Sequence, residues 1–256
     1  MPNTPDLPDL LRLIDERSVA FRAAVAAAPD LAVQVPTCPE WMLRDLVEHL
    51  GAVQRGWAAT VAAGPSDLPL PRTPPDAPDE REALLSWSAE STTQLLDALR
   101  EAGPDRGCWT WWGDSQSPQT SGAVARHQVQ EAAVHTYDAQ ACVGSPSPLP
   151  EEVALDGVDE FLATSCATTS PWPHEPAVVE YQATEGPAWR LALGAAGGRP
   201  TRMGPEPVAG APADASLRGT AGELVLALYG RVPIGALRAE GDGRVFDLLL
   251  AWDPED

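Results

Sequence analysis

Four segments of helical period, set apart by proline- and glycine-bearing breaks that a helix interior does not tolerate, are what most constrain the fold of this chain. The first is predicted from about Asp6 to Ala27, with Leu10, Leu11, Ile14, Phe21 and Val25 apolar. The second opens at Thr37-Cys38-Pro39-Glu40, where Thr37 and Glu40 have the spacing of a capping box. It continues through Trp41, Leu46, Leu50, Val53 and Trp57 and ends near Ala63, before Gly64-Pro65. A proline-rich connection (LPLPRTPPDAPDE) leads to a third, from about Asp79 to Ala102, with Leu84, Leu85, Trp87, Leu95, Leu96 and Leu99; Gly103-Pro104 stops it. The fourth runs from about Ser121 to Val143 and stops at Gly144. Helices joined this way predict an antiparallel four-helix bundle.

Beyond Pro150 the pattern changes. A helix from roughly Glu151 to Ala167 precedes short alternating segments at Ala177 to Ala183 and Ala188 to Leu193, which read as strands. A helix from about Ala221 to Tyr229, then Ile234 to Ala239 and an apolar stretch from Val245 to Trp252, complete a smaller mixed domain. The expectation is an α+β two-domain chain: residues 1–148 as the bundle and 149–256 as the second domain, with Gly144-Ser145-Pro146-Ser147-Pro148 as linker. The helix after the linker is free to pack on either domain.

Charge and composition remove several functions. The formal net charge is −20, which repels phosphate backbones and anionic lipid, so no nucleic-acid or membrane partner is expected. No apolar run approaches the ~20 residues of a membrane span, and the start lacks a signal-peptide pattern, so the protein is expected in the cytoplasm. All 17 basic residues are arginine, which excludes chemistry that needs a Schiff-base or P-loop lysine. Cys38, Cys108, Cys142 and Cys166 show neither CxxC pairing nor regular spacing, so reduced, inert thiols are the default.

The residues that point to chemistry lie on the second and fourth helices. Glu131 and His135 are four apart, one turn along the same face, as two metal ligands on one helix require. Val129, Ala132, Ala133 and Val134 make that helix apolar, so an inward Glu and His need a partner or a metal. His49, in DLVEHL, can add a third ligand if it points into the bundle, and three protein ligands leave a position open for water or substrate. His127 is either a neighbour of the ligands or an extra ligand, and Asp45 and Asp138 are candidates to orient an imidazole. Trp109, Trp111 and Trp112, in CWTWWGD, either line the mouth of a pocket or pack into the core.

VPTCPEWMLRDLVEHLGAVQRGW resembles the N-terminal signature of the mycothiol-dependent maleylpyruvate isomerase family, and RHQVQEAAVHTYDAQACVGSP resembles its second signature. The resemblance implies a DinB-like bundle followed by a smaller α+β domain. It also implies that His49, Glu131 and His135 bind zinc or another divalent metal, and that mycothiol is the thiol cosubstrate. A functionally important arginine of the family's C-terminal domain matches Arg231, in LVLALYGR, although Arg218 lies close by. The metal would hold the thiol as thiolate at neutral pH. In an isomerase the thiolate adds to a cis-enone, the new single bond rotates and elimination returns the thiol; in an S-transferase the adduct persists. Arg231 would hold a substrate carboxylate or stabilise an enolate. Two other readings remain: a metal-dependent hydrolase with water in the open position, and a non-catalytic bundle that sequesters a ligand. The sequence leaves the electrophile and the oligomeric state open.

Overall fold

The computed structural model describes residues 4–71, 76–204 and 212–252, so residues 72–75 of the proline-rich connection lie outside the described residues. The chain divides into two compact units. One comprises Met1–Gly113 with Pro118–Leu149, the other Asp114–Ser117 with Pro150–Asp256.

In the first unit, α1 (Leu7–Ala27) starts where the Asp6 carboxylate accepts from the Asp9 amide at 3.0 Å, with Pro8 in its first turn. α3 (Arg81–Ala102) is capped by Glu80 and closed by Gly103 at φ 69°, and α4 (Ser121–Cys142) is capped by the Thr120 hydroxyl. α1 packs along α4, and α2 (Leu43–Ala63) along α3. The expected start of the second helix is corrected. Gln34–Val35 (β1) and Cys38–Met42 (β2) form a small antiparallel pair, and α2 begins only at Leu43. Pro39 disfavours a helical conformation at Cys38, and the cap lies downstream, where the Met42 amide donates to the Asp45 carboxylate at 2.9 Å. Thr37 is left free to bond elsewhere.

The bundle's core is drawn from every helix: Leu13, Ile14, Phe21, Leu46, Leu50, Leu84, Leu95, Leu99 and Val124 are fully or nearly fully buried. Each such side chain contributes about 1.5–3 kcal/mol on leaving water. A polar seam crosses this core, with the Gln54 amide donating to Ser18 Oγ at 3.1 Å and accepting from Thr92 Oγ1 at 2.9 Å. α2 and α3 approach closely at Gly51, where a Cβ would overlap the Trp87 ring. α4 is buried on most of its circumference, and its alanines, Ala123, Ala125, Ala132, Ala133 and Ala139, give neighbouring helices close access.

The second unit is a five-stranded sheet of order β5-β4-β3-β6-β7 with helices packed on it. β3 (Ala177–Ala183) alternates buried and half-buried residues, so Val179 and Tyr181 face the core beside Trp189 and Leu191 of β4 (Ala188–Gly194). β6 (Ala215–Gly219) pairs with β3 in parallel; the other pairings are antiparallel. The sequence pattern does not predict β5 (Gly197–Met203), because two glycines and Pro200 weaken it as a strand. Its edge position accommodates them. The helix expected from Glu151 to Ala167 is α5 (Glu151–Phe161) followed by a π-helical turn at Leu162–Cys166. α6 (Ala221–Leu228) opens with a reciprocal Thr220/Glu223 capping box. The segment from Ile234 is a 3₁₀ turn (Ile234–Ala236) leading into β7 (Arg238–Gly241), and the closing apolar stretch is a helix, α7 (Arg244–Ala251).

Candidate metal centre

α4 presents Glu131, His135 and Asp138 along one face, since intervals of four and three residues keep side chains one above the other. α2 brings His49 against them. His49 Nε2 lies 3.0 Å and His135 Nε2 3.3 Å from the same carboxylate oxygen, Glu131 Oε1. One donor atom from each of the three residues falls within 4.8 Å of the others, a set that can hold a metal ion.

The second nitrogen of His135 is fixed from behind. His135 Nδ1 donates to Asp138 Oδ2 at 2.9 Å, which orients Nε2 towards Glu131. Asp138 is itself fully buried, and its other oxygen accepts from Thr37 Oγ1 at 2.6 Å. This explains why Thr37 caps no helix: its hydroxyl supports the carboxylate that supports the imidazole. Asp45, the other candidate orienter, is used at the start of α2 instead. Trp41, from β2, walls the site with its ring 4.7 Å from that of His49 and 6.2 Å from that of His135. The two imidazoles meet edge to face at 5.0 Å. Side-chain exposure falls from 34% at His49 through 16% at Glu131 to 7% at His135, so the group opens on the His49 side.

Burial acts to lower the His135 pKa, but the Glu131 charge, the bonds to Asp138 and Glu131 and the Asp138 charge together raise it to about 9. Burial alone would raise that of Glu131. The His135 charge, the bonds to His135 and His49 and, last, the His127 charge hold it well below the usual carboxylate range. Without a metal the group is therefore an ion pair in which protonated Nε2 faces Glu131. Removing that one proton frees a nitrogen lone pair directed at Glu131 Oε1, beside His49 Nε2.

The remaining candidates lie elsewhere. His127 does not join the donor group; its ring packs among Trp112 at 5.2 Å, Trp111 at 5.7 Å and Trp57 at 6.4 Å. Trp112 is core, whereas Trp111 is exposed. Arg231 and Arg218 belong to the second unit. Arg231 follows α6 and donates to the Tyr229 carbonyl at 2.8 Å, and Arg218 is exposed on β6 opposite Gln182 and Arg238. All four cysteines are free thiols. Burial pushes Cys108 up against the opposing charge of Arg106 and pushes Cys166 up to about 12, so neither is a ready nucleophile. Among the described residues no helix is long and apolar enough to cross a membrane.

The family model for the mycothiol maleylpyruvate isomerase N-terminal domain matches residues 11–140, and that for the MDMPI C-terminal domain matches residues 152–248. Two solved structures of a mycothiol-dependent maleylpyruvate isomerase, one a histidine-to-alanine mutant, superpose with a TM-score of 0.60. Each is 14% identical in sequence, and each comparison covers 93% of this chain and 93% of the other. At that identity the likeness is one of fold. No curated protein matches the chain.

Proposed function

The chain belongs to the mycothiol-dependent maleylpyruvate isomerase family, and on that premise we propose that it is a metal-dependent enzyme that uses mycothiol to act on a small electrophilic molecule. Its reaction is either cis–trans isomerisation of an unsaturated acid or transfer of the thiol to carbon. The observation that carries this reading is the convergence of His49 Nε2, Glu131 Oε1 and His135 Nε2, with Asp138 behind His135.

The donor set suits zinc or a similar divalent cation: two imidazoles and one carboxylate, three protein ligands in all, with an aspartate fixing one imidazole. Held there, the ion would acidify a thiol so that it reacts as thiolate at neutral pH. His135 contributes Nε2, kept on target by the Asp138 bond to Nδ1. Glu131 is ionised across the physiological range and contributes charge as well as an oxygen. His49, the most exposed of the three, stands where an incoming molecule meets the group, and Trp41 excludes water from one side of both imidazoles. Arg231, in the second unit, is proposed as a catalytic residue, and its guanidinium donates to the Tyr229 carbonyl.

His49→Ala, Glu131→Ala and His135→Ala are each expected to lose stoichiometric metal while keeping the far-UV circular dichroism of the bundle. Full metal retention in any one variant would remove that residue from the site.

A further inference from the structure

The ring over the two imidazoles belongs to a ribbon that is fastened at both ends. β1 and β2 pair Gln34 with Met42, and just beyond them the Leu43 and Arg44 amides donate to the Val33 and Leu31 carbonyls at 2.8 and 3.0 Å. At the turn, Thr37 Oγ1 donates to Asp138 and Cys38 Sγ contacts the same carboxylate at 4.0 Å. Trp41 is thus held by its backbone rather than by a polar bond of its side chain. Its N–H bonds to no described residue, whereas those of Trp87, Trp112 and Trp189 are taken by Asp76, the Pro118 carbonyl and Asp159. A tryptophan kept only for packing usually spends that donor. One part of the Trp41 indole packs on the bundle core, and the ring meets the two imidazoles at 4.7 Å for His49 and 6.2 Å for His135.

That placement decides what Trp41 can do. His49 is the most exposed of the three donors, so a ligand reaches the group from the His49 side, and Trp41 is the ring laid on His49. An indole has one donor and no acceptor atom. Water arriving beside it gains no acceptor for its protons, and its lost bonds to bulk water are not replaced. A thiol sulfur gives up far less, because it is soft and polarizable and makes favourable contacts with an aromatic ring at about 5 Å. We infer that Trp41 is a specificity-determining residue of the metal centre: its indole, laid over both imidazoles at the exposed edge of the group, favours sulfur over water as the ligand that completes the site. The inference deepens the proposed function and rests on it for the metal and the thiol.

The test uses the full chain loaded with cobalt(II), because a sulfur ligand gives cobalt a charge-transfer absorption in the near ultraviolet and azide shifts its visible bands. Ethanethiol is the thiol probe and azide the control for access to the metal. Wild type is expected to take up about one cobalt per chain and to bind both. Trp41→Ala should keep its cobalt, bind ethanethiol about two- to tenfold more weakly, the loss of one sulfur–ring contact, and bind azide at least as well as wild type. Trp41→Phe, which keeps a ring, should recover most of the thiol affinity. If Trp41→Ala fails to fold by far-UV circular dichroism, Trp41→Leu, an apolar wall without a ring, decides by the same comparison. Unchanged ethanethiol affinity in the deciding variant, or ethanethiol and azide weakened by the same factor, would overturn the inference. Failure of the proposed function shows separately, in wild type, as no cobalt uptake or no charge-transfer band with ethanethiol, and would take the inference with it.

Discussion

Asp138 is not itself a proposed ligand, yet its replacement should weaken the proposed metal binding by a calculable amount. The carboxylate is fully buried and accepts from His135 Nδ1 at 2.9 Å, from Thr37 Oγ1 at 2.6 Å and, more weakly, from Cys38 Sγ at 4.0 Å. In Asp138→Asn the amide keeps the shape. The Thr37 hydroxyl can rotate to accept from the amide nitrogen, so that contact survives. The bond to His135 changes from charge-assisted, worth about 1.5–3 kcal/mol, to neutral, worth about 0.5–1.5 kcal/mol. The difference, about 1–1.5 kcal/mol, corresponds to a zinc affinity about tenfold weaker. Asp138→Ala removes the orientation altogether and should reach about 100-fold, the upper end for an outer partner of a ligating histidine. Competition against a chromophoric chelator at pH 7 measures both, with thermal melts of the stripped proteins as the control for folding. A folded Asp138→Ala protein with wild-type zinc affinity would refute the claim that the carboxylate positions His135.

Three further outcomes are expected. With the His135 pKa at about 9, zinc must displace a proton at pH 7, so affinity should rise about tenfold per pH unit up to pH 9 and then level off; a flat profile would contradict protonation of His135. In the stripped protein, the raised His135 pKa means that its stabilisation is complete below about pH 6.5 and lost as pH rises through about 9, while that of Glu131, with its depressed pKa, is lost only as pH falls below about 4.5. At about 1.36 kcal/mol per pH unit the alkaline loss is about 3 kcal/mol, read by denaturant titration at pH 6 and pH 9, and equal stabilities would exclude it. Gly51→Ala should destabilise by about 1–3 kcal/mol despite the better helix propensity of alanine, because its Cβ overlaps Trp87; a melt at or above wild type would show that α2 and α3 can part without cost. Arg231→Ala should keep its metal and lower turnover, and an unaffected rate would shift attention to Arg218.

The bundle was legible because helix period, caps and glycine or proline stops agree in each segment, as at α1, where Asp6, Pro8 and the apolar stripe all favour the same start. The entrance to α2 was misread because Thr37 and Glu40 carry capping-box spacing, while the pair that acts is Met42 and Asp45. Nothing local distinguishes a threonine that caps from one that reaches Asp138, 101 residues away. For the same reason the sequence pattern predicts Trp41 inside a helix, whereas it lies on a strand over the imidazoles. Glu131 and His135 were legible from their spacing on an apolar helix, but the inward direction of His49 depends on how α2 packs, which no short pattern records. In the second unit, β5 was missed because its glycines and proline suit an edge strand and violate the pattern of a central one. The excursion of Asp114–Ser117 into that unit leaves no mark in the sequence.

The central claim, that His49, Glu131 and His135 hold a metal that activates a thiol, is tested most directly by elemental analysis of the purified protein joined to calorimetric titration of mycothiol. The titration is run on metal-loaded and chelator-stripped samples. About one zinc per chain, the stoichiometry of a single three-ligand site, with mycothiol binding that disappears on stripping and returns with zinc, is the predicted result. No bound metal, or mycothiol binding of equal strength in both samples, would contradict it.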